Sequence, residues 1–207
     1  MKTNKIPGIP TQEKGGFHNT ESRKEFDDPE TTLQNFAVLK TRFYSINEWK
    51  DFCGEGFADF RLFDALGNPI EREPKAGDYV RIDIPGPGGS EAKGFDWVQI
   101  VEVNDHYTKD DEFENLLITC SPSKDPTNPK SSHIAHFYSS KATSTFMISR
   151  GNNYIHAAVY GRNESINTNA CFTDKIRNMF IAIGGIMGFS KIQWKRLSDG
   201  LLDFNQD

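Results

Sequence analysis

Three stretches hold the residue types and spacings that chemistry would need. The first is Pro85–Gly94 (PGPGGSEAKG), where Gly89 and Gly94 have the outer spacing of a phosphate-binding loop. Such a loop needs Lys-Ser or Lys-Thr after its second glycine and a helix N-terminus behind it. Phe95-Asp96 stands there instead. Gly86-x-Gly88 lacks the third glycine of a dinucleotide fingerprint, and Gly88-Gly89-Ser90-Glu91-Ala92 does not complete a nucleophile elbow. The plain reading is a hairpin loop that can fold over a cavity mouth. The second stretch is His133-x-x-His136, two imidazoles with Cys120 or Cys171 as distant third ligands. No carboxylate or C-x-x-C stands beside them, so they read as hydrogen-bonding loop histidines, and neither a metal nor a cofactor is expected.

The third stretch is Tyr154–Arg162. As a strand it sends Ile155, Ala157 and Val159 to one face and Tyr154, His156, Tyr160 and Arg162 to the other. If that polar-aromatic face lines the space under a C-terminal helix, it supplies the few polar anchors of an apolar pocket. Arg162 would then pair with a ligand carboxylate, and Trp97 would join the lining. The bland alternative is a solvated outer face. Asp83, Asp96, Glu102 and His156 also lie on predicted strands where inward placement would permit acid–base work, but none stands out, so catalysis is not the expectation.

These residues need a scaffold. Thr143–Arg150 and Tyr154–Gly161 flank Gly151-Asn152-Asn153, a turn of residues that tolerate positive φ, and predict a hairpin. Beyond it, Ile176, Met179, Phe180, Ile183 and Met187 recur at three- and four-residue spacing, the pattern of a helix from about Thr173 to Met187 that needs a sheet to lie on, despite Gly184-Gly185 within it. Upstream, Asn35–Tyr44 reads as a strand through Ala37, Leu39 and Phe43. Ser45-Ile46-Asn47-Glu48 reads as a capping box, opening a short helix that stops at Gly54. Strands follow at Asp59–Ala65, Tyr79–Ile84, Trp97–Val103 and Glu114–Cys120. Trp97–Val103 is apolar on both faces, as a strand covered from both sides would be. Ile134–Ser140 fits a strand or a helical turn. Phe189–Leu202 reads as a helix capped by Ser190, with Trp194, Leu197 and Leu201 inward, or as an extended start.

Residues 1–33 mix prolines, glycines and balanced charge without either apolar period, and are expected to be an unstructured tail before a single domain at 34–207. A chain of 207 residues is long enough for a substantial core. Its formal charge of -5 argues against broad nucleic-acid binding. Three cysteines cannot all pair, and no apolar run approaches a membrane span or follows the N-terminal lysines, so a cytoplasmic protein is expected.

The order strand, helix, six strands, helix, joined by loops too short for parallel crossovers, predicts an α+β fold with an antiparallel sheet packed on a C-terminal helix. Over about residues 35–188 this order resembles the helix-grip proteins (START-like, polyketide-cyclase-like), which implies a curved sheet around the helix with a cavity between them. The competing architecture is a small SH3-like barrel on Gly77–Val103 followed by a separate α+β piece. The function that this order supports first is non-catalytic binding of a small, partly apolar or aromatic ligand in that cavity. Second is a protein-interaction or homo-oligomeric assembly module using an exposed sheet edge and the basic segment of Lys191, Trp194, Lys195 and Arg196. A hydrolase or cyclase in the same cavity ranks behind both.

Overall fold

The computed structural model describes residues 5–84, 94–106, 114–128, 130, 132–167 and 186–204. Strand β1, Gly16–Glu25, is followed by helix α1, Pro29–Tyr44, a 3-10 turn at Ile46–Glu48 and helix α2, Trp49–Cys53. Six strands come next: β2 (Asp59–Phe63), β3 (Tyr79–Asp83), β4 (Asp96–His106), β5 (Glu114–Pro122), β6 (Thr143–Arg150) and β7 (Tyr154–Glu164). Helix α3, Ile186–Leu201, closes the described chain. The strands form one antiparallel sheet in the order β1-β7-β6-β5-β4-β3-β2. The antiparallel sheet with a C-terminal helix is therefore present, and β3 and β4 pair within it rather than in a separate barrel.

Three expectations for the N-terminal region are corrected. Residues 16–25 are not tail but edge strand, paired along β7 from Gly16 opposite Glu164 to Glu25 opposite Tyr154. Asn35–Tyr44 is not a strand but most of α1. Asp28 caps that helix, its carboxylate accepting from Thr31 N at 2.8 Å, and Pro29 follows where a missing N–H costs nothing. The buried residues Thr32, Phe36, Leu39 and Phe43 are spaced as a helix spaces them. Ser45 ends α1 instead of capping the next helix through its side chain, and Glu48 N bonds the Ser45 carbonyl. Gly54 does stop α2, at φ +87°.

The inner face of the sheet packs on all three helices. Phe36, Leu39 and Phe43 of α1, Trp49 of α2 and Leu197 and Leu201 of α3 meet Phe60, Ile100, Phe146, Ile155 and Val159 in one continuous core. Its centre is aromatic: Trp49 lies 4.8 Å from Phe146 and 5.5 Å from Phe60, and Trp194 lies 5.2 Å from Phe146 and 6.2 Å from Phe60, ring centre to ring centre. The buried Arg42 guanidinium donates to Leu201 O and Asp203 O, satisfying carbonyls at the C-terminus of α3. α3 crosses α2 at Gly200, where a Cβ would sit 1.8 Å from the Phe52 carbonyl oxygen, so only glycine permits the approach.

The outer face is covered too. Ile6 and Ile9 of the N-terminal arm lie on Leu117, Met147, Ala158 and Tyr160. Ala135, from the segment between β5 and β6, packs with Trp97 and Phe63. Burial on both sides accounts for the apolar residues on both faces of β5 and for Trp97 of β4, whereas Val101 of β4 is 49% exposed. Asn163 staples the arm: its side chain donates to Thr11 O and accepts from Glu13 N and Lys14 N, while its own N–H donates to Gln12 Oε1. It does so at φ +56°, the one positive value outside glycine among the described residues, whereas the Gly151–Asn153 turn needs none. α3 extends N-terminal of Ser190, which therefore does not cap it, and buries Leu197 and Leu201 as expected. The predicted helix stripe at Ile176–Ile183, the loop 85–93, Cys171 and Gly184-Gly185 fall outside the described residues. No described helix is long and apolar enough to cross a membrane.

Candidate functional site on the inner face

β7 alternates as its sequence predicts, but in the opposite sense for a pocket. Ile155, Ala157 and Val159 face the helices. Tyr154, His156, Tyr160 and Arg162 therefore point to the outer face, away from α3, which corrects the expectation that they line the space beneath it. The helices need the apolar row, and a period of two sends the polar row to the other side. Arg162, 1% exposed, donates to His18 O, Asn19 Oδ1 and Gly161 O and binds β1 to β7. Desolvation lowers its pKa, opposed by Tyr160 and Glu164. Committed to those carbonyls, it is a strand clamp rather than a carboxylate receptor. Tyr154 lies under the Arg23 guanidinium at 3.5 Å, and His156 Nε2 is 3.8 Å from Glu21. Trp97 also sits on the outer face, edge-on to Phe63 and three strands from β7, so the structure does not bring it together with the other four.

His136 is held as a loop histidine. Its Nδ1 accepts from Tyr138 N at 2.9 Å, its ring stacks on Phe137, and burial pushes its pKa down to about 3. Among the described residues no three His, Cys, Asp or Glu side chains gather as a metal would require.

The inner face holds two polar features, of which the sequence pointed only to Asp96. His18 of β1 stands opposite Gly161 of β7, and the pairing shifts register between Gly16 and His18. With Asn163 in the left-handed region, Glu164 turns back over the same spot. His18 Nδ1 lies 2.9 Å from Glu164 Oε1, with the two side chains 0% and 1% exposed. Gly161 is the floor of this pair, since a Cβ there would come within 2.3 Å of both. The contact lacks hydrogen-bond alignment, and His18 Nε2 and Glu164 Oε2 have no hydrogen-bond partner among the described residues. The pair thus offers one imidazole nitrogen and one carboxylate oxygen in a water-poor setting.

Asp96 is the second polar group. Of the four groups considered for acid–base work, it alone faces inward, opposite Ile82 and on the side of Val98 and Ile100. It keeps some accessible surface, yet protein atoms crowd it enough that desolvation raises its pKa to about 8. Such crowding disfavours the charged carboxylate. β4 and β7 are three strands apart, about 14–15 Å at the usual strand spacing. That separation is too wide for Asp96 and the His18–Glu164 pair to share one reacting atom, and wide enough to hold two ends of one molecule.

No protein-family model matches the chain. No curated protein matches it. Among solved structures it is similar to Ara h 8.0201, with 11% identity, 88% of this chain and 99% of that chain covered, and a TM-score of 0.32. It is likewise similar to major latex-like protein 151 of Panax ginseng, at 8% identity, 86% and 95% coverage and a TM-score of 0.34. A protein of Staphylococcus epidermidis solved by NMR shows 12% identity, 92% and 94% coverage and a TM-score of 0.36. At these scores the likeness carries no argument, and the fold stands on the chain's own sheet and helices.

Proposed function

We propose that this protein binds a small, partly apolar molecule between the inner face of the sheet and the C-terminal helix, without transforming it. The observation that carries this reading is the His18–Glu164 pair, buried on Gly161 with one nitrogen and one oxygen unpartnered. An unmet polar atom in a protein interior costs about 1–3 kcal/mol, and folds rarely retain two without a purpose. A ligand bearing a hydroxyl, amide or similar group would meet both, while the neighbouring apolar side chains would take its hydrocarbon part. Asp96, neutral below about pH 8, would donate at the far end.

Native mass spectrometry of the purified full chain, followed by denaturing release, tests the proposal. A stoichiometric small molecule lost on unfolding, and lost without unfolding in His18→Leu/Glu164→Met, supports it. A chain that emerges empty and takes up no apolar probe carrying a hydroxyl or amide group overturns it.

A further inference from the structure

We propose that the open edge of β1 seats a second copy of this chain, strand against antiparallel strand, about a two-fold axis at Ser22. β1 ends the sheet: β7 occupies one side of it, and among the described residues no strand occupies the other. An open edge invites pairing unless its side chains repel the newcomer. Asn19, Glu21, Arg23 and Glu25 are the exposed residues of β1. Placed antiparallel to itself with Ser22 opposite Ser22, the strand puts Glu21 across from the partner's Arg23, and Arg23 across from the partner's Glu21. Directly opposed unlike charges stabilise such a pair, so this edge matches its own copy.

α3 carries a second, independent pattern. It runs parallel to β1, with Ser22 Oγ donating to Asp199 Oδ1 at 2.7 Å and accepting from Lys195 Nζ at 3.0 Å, and Lys24 Nζ donating to Leu202 O at 3.4 Å. Ser22 is thus level with the 195–199 turn. Two grooves lie between helix and strand edge. One, of about 660 Å³, is flanked by Lys191, Lys195 and Arg196 beside Asn19–Glu21. The other, of about 440 Å³, is flanked by Asp199 and Asp203 beside Ser22–Lys24. They share Glu21, Lys195 and Asp199 and so form one trench, whose helix flank is basic at one end (Lys191, Lys195, Arg196) and acidic at the other (Asp199, Asp203), where Arg23 and Lys24 of β1 stand opposite. The axis that pairs the strands reverses the trench of the second copy, facing Lys191 toward the partner's Asp203. Strand edge and helix flank select the same symmetry, which a generic acidic peptide would not need.

Sedimentation velocity of the full chain over a range of concentrations reads the assembly directly. The wild type is expected to show a concentration-dependent dimer. E21R, which sets an arginine opposite the partner's Arg23, is expected to lose it, and the combined variant E21R/R23E to regain it. The regain shows that the single change did not act by unfolding. Ser22→Cys supplies a separate reading, because opposed Cα atoms in an antiparallel pair lie about 4.5–5.5 Å apart, within disulfide reach. Oxidation should give a covalent dimer on a non-reducing gel that the wild type does not form. A monomer at every concentration, a dimer indifferent to E21R, or an edge occupied only after an acidic peptide is added each overturns the proposal.

Discussion

His18 Nδ1 lies 2.9 Å from Glu164 Oε1, the first from the edge strand and the second from the end of its neighbour, with neither side chain exposed. Removing one member leaves the other buried without any partner. Glu164→Ala should therefore destabilise the chain by about 1–3 kcal/mol. Replacing both by apolar groups of similar size, His18→Leu/Glu164→Met, should leave stability nearly unchanged or raise it. Urea unfolding of the two variants checks this. A double variant as unstable as the single one would make the pair a structural bond rather than a retained polar site.

Gly200→Ala should be among the most damaging small substitutions, because the added carbon meets the Phe52 carbonyl at 1.8 Å and backbone cannot yield cheaply. We expect a loss of about 1–3 kcal/mol or more, seen as a lower urea midpoint at unchanged slope. An unaltered midpoint would mean that α3 and α2 do not approach as described.

Two buried groups give opposite pH dependences. Asp96, raised by desolvation to about 8, holds a proton in the folded chain that it releases on unfolding, so stability falls as pH rises from its ordinary range toward 8. His136, lowered by desolvation to about 3, takes up a proton on unfolding, so its contribution is complete above its ordinary value of 6.5 and is lost as pH falls toward 3. The two offset each other at moderately acidic pH, and above 6.5 only Asp96 acts. The melting temperature of the wild type should decline between pH 6.5 and 8, and Asp96→Asn should flatten that decline. Parallel profiles for wild type and variant would remove Asp96 from the inner face.

Asn163→Ala should free the N-terminal arm. It loses the side-chain bonds to Thr11 O, Glu13 N and Lys14 N while keeping a φ that costs an alanine about 1–2 kcal/mol. Limited proteolysis should cut within residues 5–15 sooner than in the wild type, with α3 still protected. Unchanged cleavage would show that Ile6 and Ile9 alone hold the arm.

The hairpin of β6 and β7 and the strands β2 to β5 were legible because alternating side chains and glycine or proline stops mark them within a few residues. α1 was not: Leu39 and Phe43 fit a period of two through Ala37 and Thr41 as readily as the true helical row through Phe36, and Asp28-Pro29 outside the apolar run held the deciding signal. β1 was hidden for a different reason. Its buried residues His18, Thr20 and Ser22 are polar, and what buries them is α3 and β7, far along the chain. The same distance hid the candidate site, since no local spacing joins His18 to Glu164. Asp96 was visible as one of four inward candidates, and only the register opposite Ile82 separates it from Asp83, Glu102 and His156. The face of Tyr154, His156, Tyr160 and Arg162 was legible as a face, but the arm that lies on Tyr160 and the strand β1 that meets the other three were not.

The Arg162 clamp also sets an order of events. It reaches His18 across 144 positions of sequence, so β1 stays unsecured until β7 has been synthesised. Closing so long a loop is slow, and until it happens the growing sheet has β7 as an unprotected border. Nascent chains stalled before residue 154 lack β7 and leave both β1 and β6 without it, so they should engage chaperones that chains long enough to place β7 between the two do not.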